Sequence, residues 1–168
     1  KMLEHLHNLP KKSSLIIDAG GLQHLKDQNL TISNKTILTP HPGEASNLLG
    51  IPISEIQQNR EKAARIISEK FNSSCVILKG NKTVVYFKDK RETFVCEDGG
   101  PELSTGGTGD ILCGVIGALL AQGLSLYEAS LLGVAVHAKA GEIFADKNGE
   151  IGLNATAIIP IIRKLLNK

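Results

Sequence analysis

The sequence predicts an α/β sandwich whose sheet is covered by helices on both faces. Short β-branched runs alternate with segments of helical periodicity, and runs such as CVILK (75–79) are apolar on both strand faces. With 168 residues, 42% of them hydrophobic, the chain has enough apolar side chains for one ordinary domain, read as residues 1–168.

Residues 2–9 have a helical pattern that feeds a strand at SSLIID (13–18), as though the chain begins in the middle of a fold and a segment precedes it. Further strands are expected at KTILT (35–39), SCVILK (74–79), KTVVYF (82–87) and ETFVCE (92–97), each bounded by Gly, Asn, Asp or Lys. A short helix opens at Pro42 or Gly43. Ser54 precedes EIQQNREKAARIISEKF, where Ile56, Ala63, Ile66, Ile67 and Phe71 recur at helical spacing, and Gln57 stands three residues after the Ser as in a capping box. Helices are also expected over Gly109–Gln122, Ser125–Lys147 and Ala155–Leu166. The Gly-Asn pair inside VILKGNKTVVYF marks a turn, so part of the pairing over 74–97 should be antiparallel. No repeat, low-complexity tract or linker interrupts the pattern.

Nineteen Lys and Arg against seventeen Asp and Glu leave a formal net charge of +2 and no run of like charges, which excludes nucleic acid and membrane surfaces as expected partners. Small molecules are the expected partners instead. Cys75, Cys96 and Cys113 have no CxxC spacing, which fits reduced thiols in a cytoplasmic protein and argues against zinc. The opening KMLEHLHNLPKK has no signal-peptide pattern. Residues 111–127 are uncharged but contain three glycines, a Gln, a Ser and a Tyr, and are expected to form a core helix, not a membrane span. The apolar run ASLLGVAVHA (129–138) suits a core, or the subunit contact of a homo-oligomer.

The segment GGPELSTGGTGDILCG (99–114) carries the chemistry. No lysine stands where a P-loop needs one, and Leu112 occupies the place of the third glycine of a dinucleotide fingerprint. What remains is a set of glycines, Gly106, Gly107 and Gly109, that lets a backbone approach an anion at a helix N-terminus, with Asp110 beside it. The plain alternative is a glycine-capped loop and an acid placed on a helix dipole. TPHPGE (39–44) follows a strand where an α/β sheet offers its binding edge, so His41 and Glu44 face a cleft or are an ordinary loop histidine and first-turn carboxylate. Lys79 closes an apolar strand, from which an ammonium reaches either a phosphate or solvent.

Taken in order, TPHPGE, VILKGNKTVV and STGGTGDILCGVIGALLAQG resemble the ADP-dependent NAD(P)H-hydrate dehydratases, a branch of the ribokinase-like superfamily. The strong resemblance spans about residues 36–123, with weaker matches at LIIDAGGL and GLNATAIIPIIRKLL. It implies a three-layer α/β/α sandwich. It also implies nucleotide-dependent dehydration of (6S)-NADHX or NADPHX, by phosphoryl transfer to the substrate hydroxyl followed by loss of phosphate. Matching positions assign Asp110 as the catalytic base, His41 and Asp110 to the hydrated nicotinamide, and Lys79, Gly80, Asn81, Lys82, Thr83, Ser104, Thr105, Gly106, Gly107, Thr108 and Gly109 to the nucleotide. ADP or ATP is the implied donor, with Mg2+ on the phosphates, reached through water by Glu44; no protein metal ligand is implied.

The chain departs from the family pattern at three places. DAGGLQ stands where the family usually reads DADGLN, so Gly20 and Gln23 replace an acid and an amide. GGPE stands where GNPG is usual, so Gly100 and Glu102 are new, and Glu102 would repel phosphate unless turned outward. The family's N-terminal portion has no counterpart in the sequence. Two other readings follow: a vitamin-type kinase of the superfamily, against which His41 speaks because those kinases usually show TPN there, and a truncated nucleotide-binding remnant without activity.

Overall fold

The computed structural model describes residues 13–27 and 35–167, so the helix expected over 2–9 lies outside the described residues. The chain forms two compact units. One comprises the described residues up to Lys79 together with Val84–Phe94, and the other comprises Gly80–Thr83 together with the described residues from Val95 onward.

In the first unit, strands β1 (Leu15–Ile17), β2 (Thr36–Leu38), β3 (Cys75–Leu78), β4 (Thr83–Phe87) and β5 (Glu92–Cys96) stand in that order in one sheet; the unit boundary falls within the last two. β1, β2 and β3 are parallel, with Ile16 opposite Ile37 and Ile37 opposite Cys75. β4 returns antiparallel to β3, with Leu78 opposite Val84, as the Gly-Asn turn signal requires. Every residue of β2 and β3 is buried, which explains their continuous apolar sequence. All five expected strands are present, trimmed by one or two residues at their ends.

Helix α1 (Gly20–Asp27) is unpredicted, because two leading glycines weaken its local preference. Leu22 and Leu25, one helical turn apart and fully buried, hold it against the core. Helix α2 (Pro42–Leu49) begins where expected. The long amphipathic helix expected after Ser54 is instead two, α3 (Ile53–Gln58) and α4 (Arg60–Phe71). Ser54 is not its cap: Pro52 precedes the first helical residue, and the Asn59 side chain takes the Lys62 amide at 2.9 Å, restarting the helix there. Ile56, Ala63, Ile67 and Phe71 are buried as their spacing predicts.

The second unit is built from α5 (Thr108–Ala121), α6 (Leu126–Asn148) and α7 (Ile159–Leu166). Ser125 caps α6 through a capping box with Glu128. The last expected helix is interrupted: Ala155–Ile158 is a 3-10 turn, since Pro160 has no N–H to continue an α ladder back through it. α5 and α6 approach so closely that a Cβ on Gly133 would stand 2.5 Å from Ile116 Cγ1. The run over 129–138 is mostly buried within this unit, with Leu132 exposed. Among the described residues no helix is long and apolar enough to cross a membrane.

Candidate functional site

In the first unit a polar cluster forms just beyond the C-terminal ends of the three parallel strands, where an α/β sheet leaves main-chain groups free for ligands. Asp18 follows β1, Thr39-Pro40-His41 follows β2 and Lys79 follows β3. The strand ends are stitched by main-chain bonds, Thr39 N–H to Ile17 C=O at 3.2 Å and Lys79 N–H to Pro40 C=O at 2.8 Å. Lys79 Nζ donates to Asp18 Oδ1 at 2.6 Å and stands 3.9 Å from Glu44 Oε2. All three side chains are less than a fifth exposed. Burial alone would raise the Asp18 carboxyl, but the hydrogen bond and charge of Lys79, with the Thr39 hydroxyl and the Ala19 amide, outweigh it and hold the group below its ordinary value.

His41 caps α2. Its Nδ1 accepts from the amides of Gly43 at 3.0 Å and Glu44 at 3.2 Å, while Glu44 Oε2 accepts the His41 amide at 2.7 Å, a reciprocal capping box. With Nδ1 an acceptor, the ring proton sits on Nε2, 3.6 Å from Glu44 Oε2, and more than half of the side chain is open to solvent. The cap and cleft readings of TPHPGE are thus compatible, since capping uses one ring nitrogen and leaves the other outward. Asp18, which was not singled out as a site residue, shares a signal with Lys79: each closes an apolar strand with a charge.

Gly80, Asn81, Lys82 and Thr83 form the turn from β3 into β4. Gly80, Asn81 and Lys82 are exposed, Lys82 pairs with Glu97 at 3.3 Å, and the Thr83 hydroxyl donates to Gly80 C=O at 3.0 Å.

In the second unit, Gly107 precedes α5 at φ +91°, a conformation that favours glycine. The amides of Gly109 and Asp110 have no acceptor among the described residues, as the first turn of a helix dictates. Gly106 is exposed, and the place of its missing Cβ is open space, so an anion meets no side chain there. Asp110 lies exposed in the first turn of α5, and Ser104 and Thr105 are exposed ahead of it. Thr108 faces inward. Its hydroxyl lies 2.7 Å from Leu103 C=O and 2.8 Å from Thr105 C=O, and the buried His137 donates Nε2–H to Thr108 C=O at 2.9 Å. Thr108 and His137 therefore brace the glycine-rich loop from behind; the bracing role of His137 has no local sequence signal.

Glu102 is not turned outward but inward. It is buried at 3% exposure, and its Oε1 accepts the Gly100 amide at 2.8 Å. A Cβ on Gly100 would lie 2.5 Å from Oε2, and one on Gly141 2.7 Å from Oε1, so Glu102 as placed occupies the space both positions leave open. Gly100 and Glu102 are thus one coupled departure. Gly20 opens α1 with free space around it, and Gln23 spends its amide on Asp27 at 2.7 Å. Among the described residues no group of three or more His, Cys, Asp or Glu side chains is placed to hold a metal ion.

The comparisons with known proteins agree with the motif order. A family model described as NAD(P)H-hydrate dehydratase matches residues 2–164. The chain is 43% identical over 161 residues to the bifunctional NAD(P)H-hydrate repair enzyme of Coxiella burnetii, covering 95% of this chain and 31% of that protein. It is 40% identical over 160 residues to the ADP-dependent (S)-NAD(P)H-hydrate dehydratase of Neisseria meningitidis, covering 92% and 53%. The solved ADP/ATP-dependent NAD(P)H-hydrate dehydratase of Bacillus subtilis, co-crystallised with ATP and Mg2+, superposes with a TM-score of 0.87 at 30% identity, over 98% of this chain and 57% of that one. The fold is the ribokinase-like α/β fold of these neighbours. The chain spans about a third to a half of the length of these curated relatives. On the family match and these identities, the chain belongs to the NAD(P)H-hydrate dehydratase family.

Proposed function

We propose that the chain is a nucleotide-binding domain for the ADP- or ATP-dependent dehydration of (6S)-NADHX and NADPHX to NADH and NADPH. The observation that carries the reading is Asp110, an exposed carboxylate set beside unpaired main-chain amides at the head of α5, in a chain of this family. The nucleotide supplies the phosphoryl group that makes the substrate hydroxyl a leaving group, with Mg2+ on its phosphates, and ends as AMP when ADP is the donor.

The residues' own tasks follow from their chemistry. The amides of Gly106, Gly107 and Gly109 and the positive end of α5 stabilise charge on an anionic group brought to them. Asp110 takes the proton of the substrate hydroxyl as the general base, and its exposure leaves the carboxylate open to a bound substrate. His41 presents Nε2–H to the hydrated nicotinamide while Nδ1 stays fixed by the α2 cap. Lys79 and the turn Gly80–Thr83 serve the AMP moiety, with the Lys79 ammonium aimed by Asp18. Ser104 and Thr105, exposed at the lip of the loop, complete the nucleotide contacts. Cys75, Cys96 and Cys113, none of them in a disulfide, suit a reducing, cytoplasmic setting.

The test incubates the chain with hydrated NADH, Mg2+ and ADP or ATP and follows recovery of reduced-nicotinamide absorbance. Recovery with either nucleotide is expected, and none with either would overturn the reading. D110N is expected to abolish turnover and to leave ADP binding, measured by calorimetry, intact. Loss of ADP binding in D110N would make Asp110 a structural residue instead. Consumption of nucleotide with a phosphorylated product and no reduced cofactor would favour the kinase reading.

A further inference from the structure

We infer that Arg60 is a positioning residue that presents the β3–β4 turn to the nucleotide; the inference rests on the role proposed above for Lys79 to Thr83. Arg60 is the first residue of α4, and the break at Asn59 is what directs it toward the sheet edge. Its Nη2 donates to Leu78 C=O at 2.8 Å and to Lys79 C=O at 3.2 Å, and its Nη1 donates to Gln57 Oε1 at 2.7 Å.

These carbonyls stand where the strand ladder ends. The register with β2 ends at Leu38 opposite Val76, and the pairing with β4 ends at Leu78 opposite Val84. Beyond those pairs, one main-chain bond, Lys79 N–H to Pro40 C=O, ties the strand end on the β2 side. The guanidinium gives both carbonyls a charged donor at the point where the chain leaves the sheet. The following turn is otherwise lightly held. Gly80 has φ +135° and Lys82 φ +56°, and the segment's side-chain tethers among the described residues are the Thr83 hydroxyl bond and the exposed Lys82–Glu97 pair.

The group is also placed at a cost. Nε is buried without an acceptor among the described residues, and burial lowers the guanidinium's hold on its proton. A planar fork that leaves one donor unmatched while supplying two carbonyls at the entry to the turn is oriented for those carbonyls. Fixing them sets the direction in which Lys79 leaves the strand and in which the amides of Gly80 to Thr83 point.

The test measures ADP and ATP binding by calorimetry, with thermal melting, for the full chain and for R60Q and R60K. R60Q is expected to keep its fold and to bind ADP about tenfold more weakly or worse, with turnover at saturating nucleotide within about twofold of the parent. R60K keeps the charge but not the fork, and is expected to fall between them. Hydrogen exchange at Gly80–Thr83 in the absence of nucleotide is expected to quicken in R60Q. A lowered melting temperature with unchanged ADP affinity would overturn the inference and leave Arg60 a structural residue. If R60Q does not fold, R60K decides, and parental affinity in a folded R60K overturns it. A parent chain that binds neither nucleotide removes the nucleotide reading itself, and the inference with it.

Discussion

Asp18 and Lys79 form the pair most open to a quantitative test. Their 2.6 Å contact corresponds to an attraction of about 6 kcal/mol at an effective dielectric of ~20, most of which is cancelled by removing both groups from water and fixing the lysine stem. A net coupling of about 1–3 kcal/mol is therefore expected for a close, largely buried pair. D18N leaves the ammonium in place with Glu44 at 3.9 Å as a second carboxylate, which keeps the cost below that of an isolated buried charge. For a chain of this size, that loss lowers the melting temperature by roughly 2–12 °C. K79M removes the cation and strands the Asp18 carboxylate in turn. The double mutant D18N/K79M should then recover the coupling, and chemical denaturation of the four proteins at neutral pH measures it. The Asp18 carboxyl is held below its ordinary value, so its contribution is fully present above the unfolded value near pH ~4 and is lost as pH falls through the folded one. The stability difference between parent and D18N should accordingly be flat from neutrality to mild acid and shrink below about pH 4. Additivity of the two single changes at neutral pH, or a difference that persists undiminished into strong acid, would refute the pairing.

Two packing predictions follow from absent Cβ atoms. G133A brings a methyl to 2.5 Å from Ile116 Cγ1 and should cost about 1–3 kcal/mol by thermal denaturation; in an I116A background, which removes Cγ1, the same change should cost less. G100A drives a methyl to 2.5 Å from Glu102 Oε2 and should destabilise by about 1–3 kcal/mol; in an E102A background the same change should be nearly silent, and an equal cost in both backgrounds would separate the two positions.

The strands were legible because their chemistry is local: β-branched, apolar runs between turn formers leave few alternatives. Helix starts were legible where a side chain caps its own helix, as at Ser125 with Glu128. They were misread where two capping devices compete within a few residues. Ser54 with Gln57 has the spacing of a capping box, yet Pro52 starts the helix before it and Asn59 restarts it after, and no local rule ranks the three. α1 lay below the threshold for the opposite reason. Gly20 and Gly21 argue against a helix, and only the burial of Leu22 and Leu25, which depends on tertiary packing, overrides them.

The candidate site divides along the same line. Residues proposed to act through their own type and their position at an element's end, such as Asp110 at the head of α5, His41 at the head of α2 and Lys79 at the end of β3, stand out in the sequence itself. Residues that act by holding another cannot, because the partner is supplied by register. Asp18 and Lys79 are 61 positions apart and meet because β1, β2 and β3 run parallel and end together. Glu102 shows how this changes a chemical conclusion. Judged by sequence distance from the glycine-rich loop, it is a negative charge set against phosphate. Judged by the Gly100 amide it accepts and the two missing Cβ atoms that admit it, one of them at Gly141, it is a buried brace of its own loop. A departure from a family pattern therefore weighs against function only after its side chain has been followed to where the fold sends it. Here Glu102, in its inward position, leaves no room for a Cβ at Gly100, so the two positions are read together and not as separate losses.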